Sequence, residues 1–374
     1  MLLLVFSFLV AFVVTLLAVR SAASHAHLSG DTDRDQPQKF HARVVPRIGG
    51  VGIVVGVLAG GVLAVYQQLE GWHLLLLLTG CGLVAFGAGL IEDFTKRVTP
   101  KQRLLATIAA AALAFWLADA VISRTGIPGL DTLMLVAGVP LALTLLAVAG
   151  VANSVNIIDG FNGLASMCVA IMLAALAYVA FQVGDFAIMN CALIGLGAVL
   201  GFFVWNYPLG LIFLGDGGAY FLGFWVAELG ILLVQRNAEV SPVFPLLLCA
   251  YPIFETLFTM YRRRVIRGRP VGLPDATHLH SLIYRRLMRW AIGKHDAANL
   301  LRRNSMTSPY LWVLCSLSVL PAVLWWNDGR VLSGLLLAFC TAYLLIYRAI
   351  VHFRTPRFLL RKTDHWAVTP LVEH

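Results

Sequence analysis

Thr132-Leu-Met-Leu-Val-Ala-Gly-Val-Pro-Leu-Ala-Leu-Thr-Leu-Leu-Ala-Val-Ala-Gly150 is a run of 19 residues without a charge. It is followed at once by Val-Ala-Asn153-Ser-Val-Asn156-Ile-Ile-Asp159-Gly160-Phe-Asn162-Gly163. An α-helix of ~20 apolar residues crosses the ~30 Å hydrocarbon core of a bilayer. The first run therefore reads as a membrane span, and the second as a polar row at its mouth. The same grammar repeats along the chain. Apolar stretches fall at 2–19, 48–65, 73–91, 104–122, 132–150, 163–182, 188–205, 217–234, 242–261, 309–326 and 331–350, eleven candidate helices in all. The expected fold is an all-α polytopic membrane protein forming a single multi-span domain over residues 1–374.

Composition agrees. Of 374 residues, 59% are hydrophobic and 13% charged, against about 45–50% and about 25% in soluble domains. An ordinary soluble protein is excluded, and so is a disordered one, which needs low hydrophobicity and high net charge. The six cysteines lie inside apolar segments with no zinc or redox spacing, and read as small hydrophobes. The first stretch precedes Ser-Ala-Ala, as a signal peptide can. It lacks a basic leading region and has a longer apolar run, so it is expected to be a retained span.

Charge gives an orientation. With the N-terminus outside, the segments 20–47, 92–103, 151–162, 206–216, 262–308 and 348–374 face the cytoplasm and carry 25 of the 28 Lys and Arg residues. Only Arg124, Arg236 and Arg330 fall in outer loops. That asymmetry is the positive-inside rule, and it places the C-terminus in the cytoplasm. The net charge of +9 then reads as topology, and no nucleic-acid partner is expected. Segment 262–308 is a long basic cytoplasmic loop, too short for its own core. Segment 353–374 is a cytoplasmic tail suited to anionic headgroups.

Polar residues that border apolar runs are functional candidates, and here they collect on the same side. Glu92-Asp93 is an acidic pair whose mutual repulsion calls for a cation, or else a solvated helix end. Asn153, Asn156 and Asp159 recur every three residues and share a helix face. Such a row suits a base or sugar edge, or a hard cation bound through oxygen. Capping accounts for one or two of these residues but not for the whole row. Gly215-Asp216-Gly217-Gly218 fits an N-cap and a metal ligand about equally. Arg262, Arg263, Arg264, Arg267 and Arg269 match a polyanion or serve as a topogenic anchor, while His278 and His280 are too few for zinc. The chain lacks a Walker loop, a dinucleotide fingerprint and a Ser-His-Asp arrangement. Carboxylates, amides, arginines and histidines at a lipid boundary suit metal-assisted phosphoryl transfer between a soluble diphosphate and a lipid phosphate.

Five segments, in order, carry a resemblance. They are Lys39-Phe-His41-Ala-Arg43-Val-Val-Pro46-Arg47-Ile-Gly49-Gly50, Glu92-Asp93 through Arg103-Leu104, Asn153 through Ala165, Phe213 through Gly218, and Pro274-Asp275-Ala-Thr-His278-Leu-His280. Together they resemble the polyprenyl-phosphate N-acetylhexosamine-1-phosphate transferases, over residues ~37–290. The usual Asp-Asp pair is Glu92-Asp93 here, the usual last acid of the third motif is Asn162, the usual lysine is Arg103, and the histidine run is reduced to His278 and His280.

The resemblance implies attack of a polyprenyl (undecaprenyl) phosphate oxygen on the β-phosphorus of a UDP-sugar, giving UMP. A two-step path through an aspartyl-phosphate is the variant. This would be the first membrane step of a cell-surface polysaccharide, such as lipopolysaccharide or cell wall, at the bacterial cytoplasmic membrane. The implied cofactor is Mg²⁺, with Mn²⁺ as substitute. Asp216 is the expected metal ligand, assisted by Asn156 or Asp159. Glu92, Asp93, His278 and His280 form the expected catalytic set, with Asp93 on the lipid phosphate. Lys39, Arg103, Asn153, Asp159, Asn162, Arg267 and Arg269 would bind substrate, with Asn162 and Asp159 reading uracil. A homodimer is left open. Other readings are a transporter, which usually shows repeat halves, and a prenyl or CDP-alcohol transferase, which needs paired acids that Asp159 lacks.

Overall fold

A computed structural model describes residues 1–21, 45–268, 277–292 and 297–352. Lys39, Arg269 and the tail at 353–374 lie outside the described residues, as do His41, Arg43, Pro274 and Asp275. The described residues are overwhelmingly helical. The helices are α1 Leu2–Arg20, α2 Gly49–Tyr66, α3 Trp72–Thr95, α4 Pro100–Leu117, α5 Pro128–Leu133, α6 Val139–Ile158, α7 Leu164–Gln182, α8 Phe186–Asn206, α9 Gly215–Arg236, α10 Val243–Leu248, α11 Ala250–Tyr261, α12 Leu279–Leu282, α13 Arg289–Ile292, α14 Ala297–Leu324 and α15 Gly329–Val351. Nine of them, among the described residues, are long and apolar enough to cross a membrane: α1, α2, α3, α6, α7, α8, α9, α14 and α15. The protein is a multi-pass membrane protein.

Eleven spans were expected, and two differ for identifiable reasons. The stretch expected at 104–122 starts earlier, at Pro100, and its first turn holds Lys101 and Arg103. Thr99 and Gln102 fix that start as a reciprocal capping box, with Thr99 N–H donating to Gln102 Oε1 at 2.8 Å. The stretch expected at 242–261 is divided at Cys249 into α10 and α11. Pro252 has no N–H to offer the Leu248 carbonyl, so the ladder is interrupted there. Two boundaries also move. The span expected to begin at 132 begins at Val139, because Gly138 turns the chain with a positive φ of 89°. The span expected to begin at 309 belongs to a helix that starts at Ala297, so part of the 262–308 segment is a helical extension.

Helix α9 is the axis of the bundle: every residue from Gly215 to Val234 is buried. Small residues let its neighbours approach backbone to backbone, which drives helix packing in lipid. A Cβ on Gly223 would lie 2.5 Å from Ala152 Cα of α6, and one on Gly50 of α2 would lie 2.5 Å from Gly218 Cα. On the far side of α2 and α8, Gly56 and Gly201 receive Ala11 of α1. By contrast, α15 buries little beyond Leu332, Phe339, Tyr343 and Ile350. All six cysteines are free thiols, and all but Cys340 are buried.

Candidate active site

The polar ends of α2, α3, α4, α6 and α9 meet at one end of the bundle. The segment before α2 and the segment before α9 run alongside each other as a short clasp. Phe213 N–H donates to Pro46 O, Gly49 N–H to Phe213 O and Gly50 N–H to Leu214 O, each at 2.9 Å. This brings Arg47 beside Asp216. Gly215 adopts a φ of +79°, and a Cβ there would lie 2.6 Å from Asp93 Oδ2, so glycine is required for this approach.

The result is a compact charge cluster. Asp93, at the end of α3, is almost fully buried, and its Oδ1 and Oδ2 accept the backbone N–H groups of Asp216 and Gly217, both at 3.0 Å. Those N–H groups belong to the first turn of α9, where helical partners are lacking and the dipole favours an anion. Asp216 is paired with the guanidinium of Arg103. Arg47 stands 3.7 Å from Asp216 and 3.9 Å from Asp93. Glu92 points elsewhere: its Oε2 accepts Val98 N–H at 2.7 Å and shapes the turn into α4.

The row at the end of α6 is divided. Asn156 donates to the Tyr220 hydroxyl of α9 at 3.0 Å, which ties it to the cluster. Asn153 turns back to its own helix, donating to Ala149 O at 2.7 Å. Asp159 is half-buried at the end of α6. Burial pushes its carboxyl up to about 7, against the pull of the Arg47 guanidinium and with a further rise from the Asp93 carboxylate. Gly160, the next residue, faces His280: a Cβ there would lie 3.1 Å from His280 Nε2. The Asp159-Gly160 turn therefore joins the acidic cluster to the histidines.

Asn162, expected to read a base together with Asp159, is buried in the turn between α6 and α7. It is 1% exposed, its Nδ2 donates to Pro208 O at 3.2 Å, and its backbone is held by Asn304 at 2.9 Å and Ser308 at 2.6 Å. It clamps the α6–α7 turn to α14, with its Oδ1 buried and, among the described residues, without a hydrogen-bond partner. The aromatic group next to it packs on a histidine instead, with Phe161 and His280 ring centroids 5.5 Å apart.

His278 and His280 stack with centroids 5.1 Å apart. His278 Nδ1 lies 3.0 Å from Glu255 Oε1 and 3.2 Å from Thr259 Oγ1, both on α11. Arg267 reaches Thr277 Oγ1 at 3.3 Å, beside the histidines. Both ends of this segment are π-helical, at Arg262–Ile266 and Ile283–Met288, a geometry frequent at functional sites. Sequence reasoning assigned no role to Arg47, Tyr220, Thr259 or Tyr343. Arg47 was discoverable from its Pro-Arg-Ile-Gly-Gly setting, whereas nothing local marks the tyrosines.

The donor set suits a hard cation: carboxylates of Asp216 and Asp159 and the amide of Asn156, all oxygen donors. Among the described residues no three His, Cys, Asp or Glu side chains form a ready cage. Mg²⁺ does not require one, because it is commonly held by one or two carboxylates together with substrate phosphates and water. The residues present therefore fit Mg²⁺ of that kind.

Known proteins are similar to this chain in sequence. The family described as glycosyl transferase family 4 matches residues 74–234, from α3 through α9. The chain is 28% identical over 285 residues to the probable undecaprenyl-phosphate N-acetylglucosaminyl 1-phosphate transferase of Bacillus subtilis, covering 72% of this chain and 75% of that protein. It is 24% identical over 258 residues to the undecaprenyl-phosphate alpha-N-acetylglucosaminyl 1-phosphate transferase of Thermotoga maritima, covering 69% and 74%. It is 33% identical over 223 residues to the phospho-N-acetylmuramoyl-pentapeptide-transferase of Bacillus thuringiensis, covering 55% and 67%. The chain belongs to glycosyl transferase family 4, within the polyprenyl-phosphate sugar-1-phosphate transferase superfamily. It is a multi-pass membrane transferase.

Proposed function

We propose that this transferase moves a sugar 1-phosphate from a UDP-activated N-acetylhexosamine to undecaprenyl phosphate. In the proposed step an oxygen of the lipid phosphate bonds to the β-phosphorus of the UDP-sugar. The bond from that phosphorus to the UMP oxygen breaks, and UMP leaves. The lipid carries away a sugar diphosphate, the first intermediate of a cell-surface polysaccharide. The reaction takes place at the cytoplasmic face, as the distribution of basic residues favours.

The observation that carries this reading is the cluster at the start of α9, where Asp93, Asp216, Arg47 and Arg103 lie together. Two anions must approach for the reaction, and positive charge has to offset their repulsion. Arg47 and Arg103 provide fixed cations, and the first turn of α9 adds its dipole. Asp216 with Asn156 or Asp159 would hold Mg²⁺, or Mn²⁺ in its place, which would supply further charge neutralisation to the diphosphate. Asp93 orients the centre through the N–H groups it holds. A strong base is not required, because a phosphate monoester already titrates near pH 6. Arg267, Arg269, His278 and His280 hold the diphosphate and sugar, while Lys39 and Arg103 meet the lipid phosphate. Family membership favours this transfer over transport and over prenyl or CDP-alcohol chemistry.

The test uses purified protein, undecaprenyl phosphate, Mg²⁺ and a panel of UDP-N-acetylhexosamines. UMP release with at least one donor, lost in Asp216→Asn, is expected. No release with any donor sinks the proposal.

A further inference from the structure

His278 and the residues beside it are held by groups from two separate parts of the chain, α11 with its continuation through Arg262, and α15. Glu255 Oε1 lies 3.0 Å from its Nδ1 and also accepts Leu279 N–H at 3.1 Å. The other oxygen, Oε2, accepts the hydroxyl of Tyr343 at 2.5 Å, from a residue 88 positions further along in α15. Glu255 and Tyr343 are both 0% exposed. One turn on, the Tyr347 hydroxyl accepts from Arg262 at 2.6 Å and donates to the Thr277 carbonyl at 3.2 Å, directly before His278. Arg262 reaches the same carbonyl at 2.8 Å.

A carboxylate with both oxygens engaged has no freedom to turn. With Nδ1 donating to Glu255, the imidazole is fixed in one tautomer and Nε2 becomes its working atom, the arrangement by which outer partners tune a histidine. The stacked His280 is aligned along with it. Helix α15 buries few residues, and one of them is Tyr343 with its hydroxyl on this carboxylate. A tyrosine hydroxyl placed there is more than bundle packing, because phenylalanine would fill the same space.

We infer that Glu255 and Tyr343 are positioning residues for His278, which makes α15 part of the transfer machinery although it lies outside the 74–234 family region. This inference rests on the sugar-1-phosphate transfer proposed above. Tyr343→Phe removes one hydroxyl and leaves the ring. Expected is a fall of about tenfold in kcat for UMP release, with the KM for undecaprenyl phosphate and the melting temperature unchanged. Glu255→Gln is expected to fall further, because the charge is lost. Wild-type kcat in a folded Tyr343→Phe protein overturns the inference. A second measurement needs no turnover: ¹⁵N spectra of histidine-labelled protein, with the His278 signals identified by their loss in His278→Gln. One tautomer is expected in the parent protein and a mixture in Tyr343→Phe. Identical spectra overturn the inference. If the parent protein releases no UMP, the proposed reaction fails while the spectra still decide the role of Tyr343.

Discussion

The carboxylate of Asp93 caps a helix to which it does not belong: it accepts the backbone N–H of Asp216 at 3.0 Å, and that of Gly217 at the same distance. Replacing one oxygen with an amide nitrogen sets a donor against a donor. Asp93→Asn is therefore expected to lose both stability, by about 1–3 kcal/mol, and nearly all UMP release. Asp216→Asn is expected to lose release with a smaller change in melting temperature, since its backbone donor survives. Equal melting-point losses in the two variants would contradict this division of labour.

The contact between α2 and α9 is main chain against main chain. In Gly50→Ala the new methyl would sit 2.5 Å from both N and Cα of Gly218, and neither atom can swing aside. Overpacking of this kind costs about 1–3 kcal/mol or more. A sharp fall in monodisperse protein on size exclusion is expected. Gly80→Ala, with nothing within 4 Å of its Cβ, serves as the neutral control.

Asn162→Asp places a carboxylate in the turn between α6 and α7. The new oxygen would face the Pro208 carbonyl in place of the Nδ2 that now donates to it at 3.2 Å. A loss of about 1–3 kcal/mol is expected, with the order of preference among UDP-sugars unchanged. A reordered preference would return Asn162 to the substrate.

Asp159 predicts a pH signature. Burial pushes its carboxyl up to about 7, against ~3.9 in an unfolded chain. The folded state therefore holds a proton that the unfolded state releases in this window, and stability falls as pH rises from about 4 towards 7. Asp159→Asn, uncharged throughout, is expected to flatten that part of the stability curve and to melt higher than the parent at pH 8. Parallel curves for the two proteins, measured with EDTA present, would exclude a perturbed Asp159.

The bundle was legible because crossing a bilayer demands length and apolarity, which a single strand of sequence displays openly. The misplaced boundaries came from local backbone chemistry: a capping box at Thr99, a missing N–H at Pro252 and a left-handed Gly138. The acids and arginines of the site were legible from their collection on one side. Their division of labour was not. Asp93 reaches a partner 123 residues away, and Glu255 one 88 residues away. The polarity of Asn162 was visible, while the Asn304 and Ser308 that hold its backbone lie 142 and 146 residues further on.

The cap that α3 places on α9 also bears on biogenesis. When a ribosome feeds this chain into the membrane, Asp93 arrives long before the helix whose N–H groups it will hold. A chain inserted only through α3 thus has Asp93 without its partners, and the docking of α9 both brings Asp216 and completes the cluster.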